Sequence, residues 1–260
     1  TRARYHFVWS HNPDGTPAKQ YAMEKIHRRH GFRWVHPVHE VLKYSGEDPD
    51  RSVWVPGIVL HHYPDLTKPR GQYLPLLELS AQENPDDDRT AFWLGREYYY
   101  NGQYDKCIDE LSRHLALSAA RWDEERCASM RFIAKCYEAK KDLKKARAWL
   151  YRAVAECPRV REPYRDLARL GYLMNDWPLV YLVTEKGRAI TEKTGSYLTE
   201  PDAWGWRLFD YGAIAAYRLG MYQEAYDRAK EALRMKPDDE RLRRNLALIK
   251  EKLDDKEASP

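Results

Sequence analysis

At 260 residues, with 43% hydrophobic and 13% aromatic content, the chain carries enough apolar side chain for one long domain or two short ones. No run approaches the apolar length of a membrane span and no secretory leader opens the sequence. A net charge of +4 is too mild to argue for nucleic acid by itself. The four cysteines, Cys107, Cys127, Cys136 and Cys157, show no paired short spacing. They read as small core residues of a reduced, cytoplasmic protein, not as a disulfide framework or a zinc site. Thr1 rather than Met stands first, which reads as a trimmed N-terminus.

In chain order, Tyr5–Ser10 alternates aromatic and polar side chains and runs into the turn Asn12-Pro13-Asp14-Gly15. Tyr21–Arg28 reads as a second strand, so a hairpin is expected. Gly31–Leu42 is dense in aromatics and histidines, and the polar turn Gly46–Arg51 leads to a strand over Ser52–His62. Along that strand Ile58, Leu60 and His62 share one face while Val59 and His61 share the other. A histidine ending an apolar face emerges at the sheet edge, where metal ligands and acid–base groups often sit. Pro64–Arg70 breaks the strand, and Gly71–Gln82 reads as a helix that leads through Asn84-Pro85-Asp86-Asp87-Asp88. Three segments are therefore expected: a strand-rich part over 1–68, a connecting helix and linker over 69–87, and a helical part over 88–255.

The helical part repeats itself. Asn101-Gly102-Gln103-Tyr104 and Leu219-Gly220-Met221-Tyr222 are matching turns, and weaker copies centre on Leu143 and Trp177. Nine residues before the centres stand Gly95, Ala134, Ala168 and Ala213; three after stand Cys107, Ala146, Val180 and Ala225; ten after stand His114, Ala153, Gly187 and Ala232. Small residues are needed where helix backbones approach closely, and Pro158 and Pro237 mark breaks beyond the second helices. Leu94-Gly95 with Tyr98, and Ile133-Ala134 with Tyr137, extend the match. This is the tetratricopeptide (TPR) pattern of paired antiparallel helices. The resemblance implies a mainly α fold: a TPR-type α-α superhelix of about four repeats and eight helices, preceded by a small strand-rich segment. The steps between centres are 39, 34 and 45 residues; the first and third exceed the basic unit of about 34, so insertions are expected near 119–126 and 193–205.

Phe32-Arg33-Trp34 with Val38-His39-Glu40, then Ile58-Val59-Leu60-His61-His62 ahead of a basic linker into TPR repeats, resembles the C-terminal part of a family 2 glycosyltransferase. The resemblance covers only the tail of that family's GT-A α/β domain. It implies that Glu40 acts as general base on the acceptor hydroxyl, since inverting transfer needs a base within hydrogen-bond reach. His39 would help position acceptor or diphosphate, Trp34 would lie among the binding residues, and His62 would help hold a divalent metal, Mn2+ or Mg2+, on a nucleotide-sugar donor. His39-Glu40 is not a zincin helix, because Lys43 stands where the second histidine belongs. The family's nucleotide-binding strands and metal-binding Asp-x-Asp belong upstream. The strings Asp48–Asp50 and Asp86–Asp88 follow no apolar strand and read as turn or helix caps. The metal and donor are thus expected only in a complete enzyme that includes the missing N-terminal GT-A portion, and no cofactor is expected for this chain alone.

The repeat phase also defines a groove, because stacked repeats present a concave binding surface. Fifth positions of the first helices are Phe92, Arg131, Arg165 and Asp210, and ninth positions are Arg96, Lys135, Arg169 and Ile214; Arg89 and Arg207 hold second positions. The inner surface of the first three repeats thus carries a basic ladder, expected to favour an anionic peptide or a charged glycan acceptor. Three readings follow: part of a glycosyltransferase whose repeats bind acceptor or partner, a non-catalytic TPR scaffold for an anionic partner, and, least favoured for want of a base-reading module, a nucleic-acid-binding repeat protein.

Overall fold

The structure, a computed structural model, describes residues 1–65, 67 and 73–257. Five strands come first: β1 (Arg2–His11), β2 (Pro17–His27), β3 (Phe32–Val35), β4 (Val41–Tyr44) and β5 (Ser52–His61). Ten α-helices follow among the described residues, α1 (Tyr73–Glu83), α2 (Asp88–Tyr100), α3 (Tyr104–Ala116), α4 (Asp123–Ala139), α5 (Leu143–Glu156), α6 (Glu162–Leu173), α7 (Trp177–Ala189), α8 (Arg207–Arg218), α9 (Tyr222–Met235) and α10 (Glu240–Glu257). The expected break after β5 and the first residues of the connecting helix fall largely on 66 and 68–72, outside the described residues. Among the described residues no helix is long and apolar enough to cross a membrane.

The chain packs as two compact units, Thr1–Cys136 with Thr194–Thr199, and Tyr137–Lys193 with Glu200–Pro260. This division differs from the boundary expected near residue 68, because the strand-rich segment is packed onto the first repeat by contacts described below.

In the first unit β1 is the centre of a three-stranded sheet in the order β2-β1-β5. It pairs antiparallel with β2, with Phe7 opposite Tyr21, and parallel with β5, with Phe7 opposite Leu60. Tyr5, Phe7 and Val8 are buried, whereas β5 exposes side chains of both faces. The hairpin turn closes through Gly15, whose φ of 83° lies in the left-handed region that glycine enters at no cost. The short β3–β4 hairpin forms a separate sheet, with Trp34 opposite Leu42.

Three of the helix pairs that the spacing predicts pack as expected, α2 with α3 in the first unit and α6 with α7 and α8 with α9 in the second. Asp87, Asp142 and Asp176 cap α2, α5 and α7, accepting the backbone N–H of Thr90 (2.8 Å), Lys145 (3.0 Å) and Leu179 (3.2 Å). Two residues before each repeat centre the backbone turns left-handed, at Gly102, Lys141, Asn175 and Gly220. All twelve small positions are buried. A methyl built on Gly95 would stand 2.3 Å from Leu111 Cδ2, so α2 and α3 cross where only hydrogen fits. The insertions lie where expected: residues 117–122 join α3 to α4, and the long connection from α7 to α8 carries a 3-10 helix, Pro201–Trp204. After α9 comes α10, whose buried Ile249 packs with Ala213, Ala216, Ala225 and Ala229. It covers the last pair's apolar face, as a terminal cap must.

Candidate functional site

Arg89, Trp93 and Arg96 occupy positions i, i+4 and i+7 of α2, one stripe of a helix. The Arg96 guanidinium lies 4.3 Å from the Trp93 ring centre and within 5.5–5.9 Å of Phe92, Phe132 and Tyr100. Arg89 donates from a terminal guanidinium nitrogen to the His39 carbonyl at 3.1 Å. The His39 ring stacks on Trp93 with centres 3.6 Å apart. Both His36 (φ 72°) and His39 (φ 55°) are left-handed in the loop from β3 to β4, an uncommon state that persists only where surroundings impose it. For His39 the imposing contacts are the Trp93 stack and the Arg89 hydrogen bond, while His36 Nδ1 lies 3.5 Å from Asp87 Oδ2.

A second wall comes from far along the chain. Tyr197, in the connection after α7, lies nearly parallel to Trp93 at 5.7 Å and edge-on to Trp122 at 5.5 Å. Its hydroxyl donates to Glu125 Oε2 at 2.6 Å. Burial first, then the Glu125 charge, pushes the Tyr197 phenol well above its ordinary value, so it stays a donor at any physiological pH. Three buried N–H groups on this stripe, Arg89 Nε, Trp93 Nε1 and Arg96 Nε, have no acceptor among the described residues. Nor, among those residues, does a carboxylate pair with Arg89 or Arg96. An orphaned donor is costly until something accepts from it.

The other positions of the expected ladder differ. Phe92, Arg131, Arg165 and Asp210 were expected to be exposed on the groove and are buried instead. The fifth position of each first helix faces into the packing, so a charge there must be paired. Arg165 is held by Asp166 at 2.8 Å, Asp202 at 2.7 Å and Glu200, and Asp210 accepts from Arg241 at 2.8 Å. At the outer positions Arg169 grips Glu138, Arg207 grips Asp202, and Lys135 Nζ sits 5.0 Å over Phe132. The ladder cations of the second unit, Arg165, Arg169 and Arg207, are thus spent on internal carboxylates. Those of α2 are not.

The residues named from the glycosyltransferase resemblance are distributed over separate elements. His39 joins the α2 cluster, and its neighbour Glu40 is exposed at the loop's end. Trp34 lies on β3, exposed, with Lys25 Nζ 5.6 Å from its ring. His62 stacks on Trp9 of β1 at 4.4 Å, its Nδ1 3.2 Å from the Trp9 carbonyl. Among the described residues it belongs to no group of three side chains able to hold a metal. Beside it, His11 Nε2 and His61 Nδ1 are 2.9 Å apart.

Sequence reasoning missed Trp93, Trp122, Glu125 and Tyr197. Trp93 was legible as the residue one turn from both Arg89 and Arg96. Tyr197 was not, since nothing in an insertion's sequence says which distant helix it returns to.

No protein-family model matches this chain, and no curated protein matches its sequence. Its helical part is similar to several solved structures. The crystal structure of MamA matches with TM-score 0.52 at 18% identity, covering 68% of this chain and 97% of that one. YrrB, described as a TPR protein with an unusual peptide-binding site, matches with TM-score 0.53 at 11% identity, covering 66% and 81%. PilF of Pseudomonas aeruginosa matches with TM-score 0.52 at 11% identity, covering 66% and 72%. At such identities the likeness speaks for the fold alone. The helical part of this chain has the tetratricopeptide-repeat fold.

Proposed function

We propose that the chain is a TPR interaction module whose α2 stripe, Arg89–Trp93–Arg96 beside Tyr197, binds an anionic peptide segment. The observation that carries this reading is the cluster of three buried N–H donors, Trp93 Nε1 and the Nε of two guanidinium groups, that find neither acceptor nor carboxylate among the described residues. A carboxylate accepting from an arginine Nε and the indole N–H would satisfy both the donors and the charge. A peptide fits better than a glycan, because His39, Tyr197 and the Arg96 guanidinium already crowd the Trp93 ring on which a sugar would stack. A reducing, cytoplasmic setting goes with this reading, supported by four buried thiols. The experiment is titration of a Glu/Asp-rich peptide and a neutral peptide of equal length into wild type, Arg89→Ala/Arg96→Ala and the control Arg207→Ala, across a salt series. Wild type and the control should bind the acidic peptide, weakening with salt, and the double variant should lose at least about tenfold. Equal binding by wild type and double variant overturns the proposal.

A second reading keeps the strands as the tail of a family 2 glycosyltransferase domain, with Glu40 as base, His39 positioning, and His62 on a metal-bound donor in the complete enzyme. It is supported by β5, which pairs parallel to β1 yet exposes Val53, Trp54, Val59 and Leu60. Parallel strands are ordinarily covered on both faces, and an upstream α/β portion would supply that cover. In a polypeptide that includes such a portion, Glu40→Gln should abolish transfer with folding intact; full transfer would remove the residue from the mechanism.

A further inference from the structure

Position ten after the repeat centre holds Ala153, Gly187 and Ala232 in three copies, but the first copy places a histidine there. His114 is fully buried at the crossing of α3 with α2, its ring 5.7 Å from Phe92. An imidazole in a slot built for a methyl needs a reason, and its surroundings offer one. The hydroxyl of Ser129 lies 3.0 Å from Nδ1. The other nitrogen, Nε2, is buried with no hydrogen-bond partner and lies 3.6 Å from Glu125 Oε1. Asp88 completes the group: one ligand atom from each of Asp88, His114 and Glu125 lies within 4.8 Å of the other two.

We infer that Asp88, His114 and Glu125 form a divalent metal site that staples the first repeat to the second. The Nε2–Oε1 separation is beyond hydrogen-bond range but suits two ligands of one ion. Ligands about 2.0–2.2 Å from a zinc ion at a tetrahedral angle stand roughly 3.3–3.5 Å apart. The surrounding groups are arranged as metal ligation requires. With Nδ1–H donating to Ser129, the Nε2 lone pair faces the carboxylates, a repulsive grouping that a cation converts into an attractive one. Tyr197 occupies Glu125 Oε2 and leaves Oε1 turned to His114. One imidazole and two carboxylates carry two negative charges, matching a divalent ion. The imidazole selects Zn2+ or a similar first-row metal over Mg2+ and Ca2+, which take oxygen ligands. The three ligands come from the start of α2, the end of α3 and the start of α4, so the ion would fix the spacing of three helices. This site is distinct from the His62 position and does not depend on the partner reading.

The test uses the full chain, stripped with chelator and titrated with ZnCl2 by calorimetry and thermal melting, and with Co2+ by visible absorption. Asp88→Asn removes a ligand at a helix start that is not fully buried, so it keeps the fold, which circular dichroism checks. His61→Ala removes the exposed histidine pair as a competing site. Wild type and His61→Ala should each bind one equivalent of zinc and melt higher for it. Asp88→Asn should bind at least tenfold more weakly, and Glu125→Gln likewise. Bound cobalt should show ligand-field bands without thiolate charge transfer, because no cysteine ligates. No stoichiometric binding by wild type, equal binding by Asp88→Asn, or loss of binding in His61→Ala would each overturn the site.

Discussion

Gly95 tests the repeat phase at its tightest point. An alanine methyl there would lie 2.3 Å from Leu111 Cδ2 and 2.5 Å from its Cγ, whereas carbon atoms in contact want about 3.5–4.0 Å. Leu111 is fully buried, so relief requires helix separation or a strained rotamer. Overpacking of this kind costs about 1–3 kcal/mol. Against it, Gly to Ala inside a helix gains about 1 kcal/mol in propensity. The net expectation for Gly95→Ala is a loss of about 1 kcal/mol, a fall in Tm of about 2–4 °C. In a Leu111→Ala background the obstruction is gone, and the same substitution should stabilise by about 1 kcal/mol. The sign therefore reverses, with a coupling of about 2 kcal/mol, inside the range for contacting pairs. Urea denaturation of the four proteins, followed by circular dichroism, measures the cycle. Equal stabilisation by Gly95→Ala in both backgrounds would refute the crossing and the phase that predicted it.

Ala134→Leu should overpack the corresponding position of the second repeat by about 1–3 kcal/mol, and an unchanged thermal melt would count against the assigned copy. Tyr197→Phe leaves the buried Glu125 without its hydroxyl donor and should cost about 1–3 kcal/mol by denaturant unfolding. The ultraviolet difference titration between wild type and that variant should stay flat through about pH 10, because burial raises the phenol; a step there would place Tyr197 in solvent. Asp142 has its carboxyl held below the usual range, chiefly by the Lys145 backbone N–H and then by the Lys145 side chain. A depressed carboxyl stabilises above its unfolded value of about 3.9 and loses that stabilisation as pH falls through the lower folded value. Asp142→Ala should therefore melt below wild type near neutrality, and the difference should shrink below about pH 4. A difference independent of pH would show the carboxylate is not the cap.

The sequence by itself determined the helical repeats and their phase, and marked one cap, in the Asp86–Asp88 string. Each of these depends on contacts within about forty residues: Gly95 against Leu111, Asp87 on Thr90, the left-handed turn at Gly102. It also located both insertions, because a repeat makes extra length countable. It misjudged the groove. Spacing alone puts Arg131 and Arg165 on the first-helix face but cannot say that the fifth position is buried, nor that Glu200 and Asp202 return to neutralise Arg165. Only the tertiary structure brought Tyr197 to Trp93 and Glu125, seventy-two residues away from the latter. Only the tertiary structure stacked His39 on a TPR helix rather than leaving it with the strands. The difference is physical: a helix is closed by hydrogen bonds between near neighbours, which any local pattern reveals. A binding site is closed by chain ends that loop entropy lets meet at many separations, and packing alone selects which.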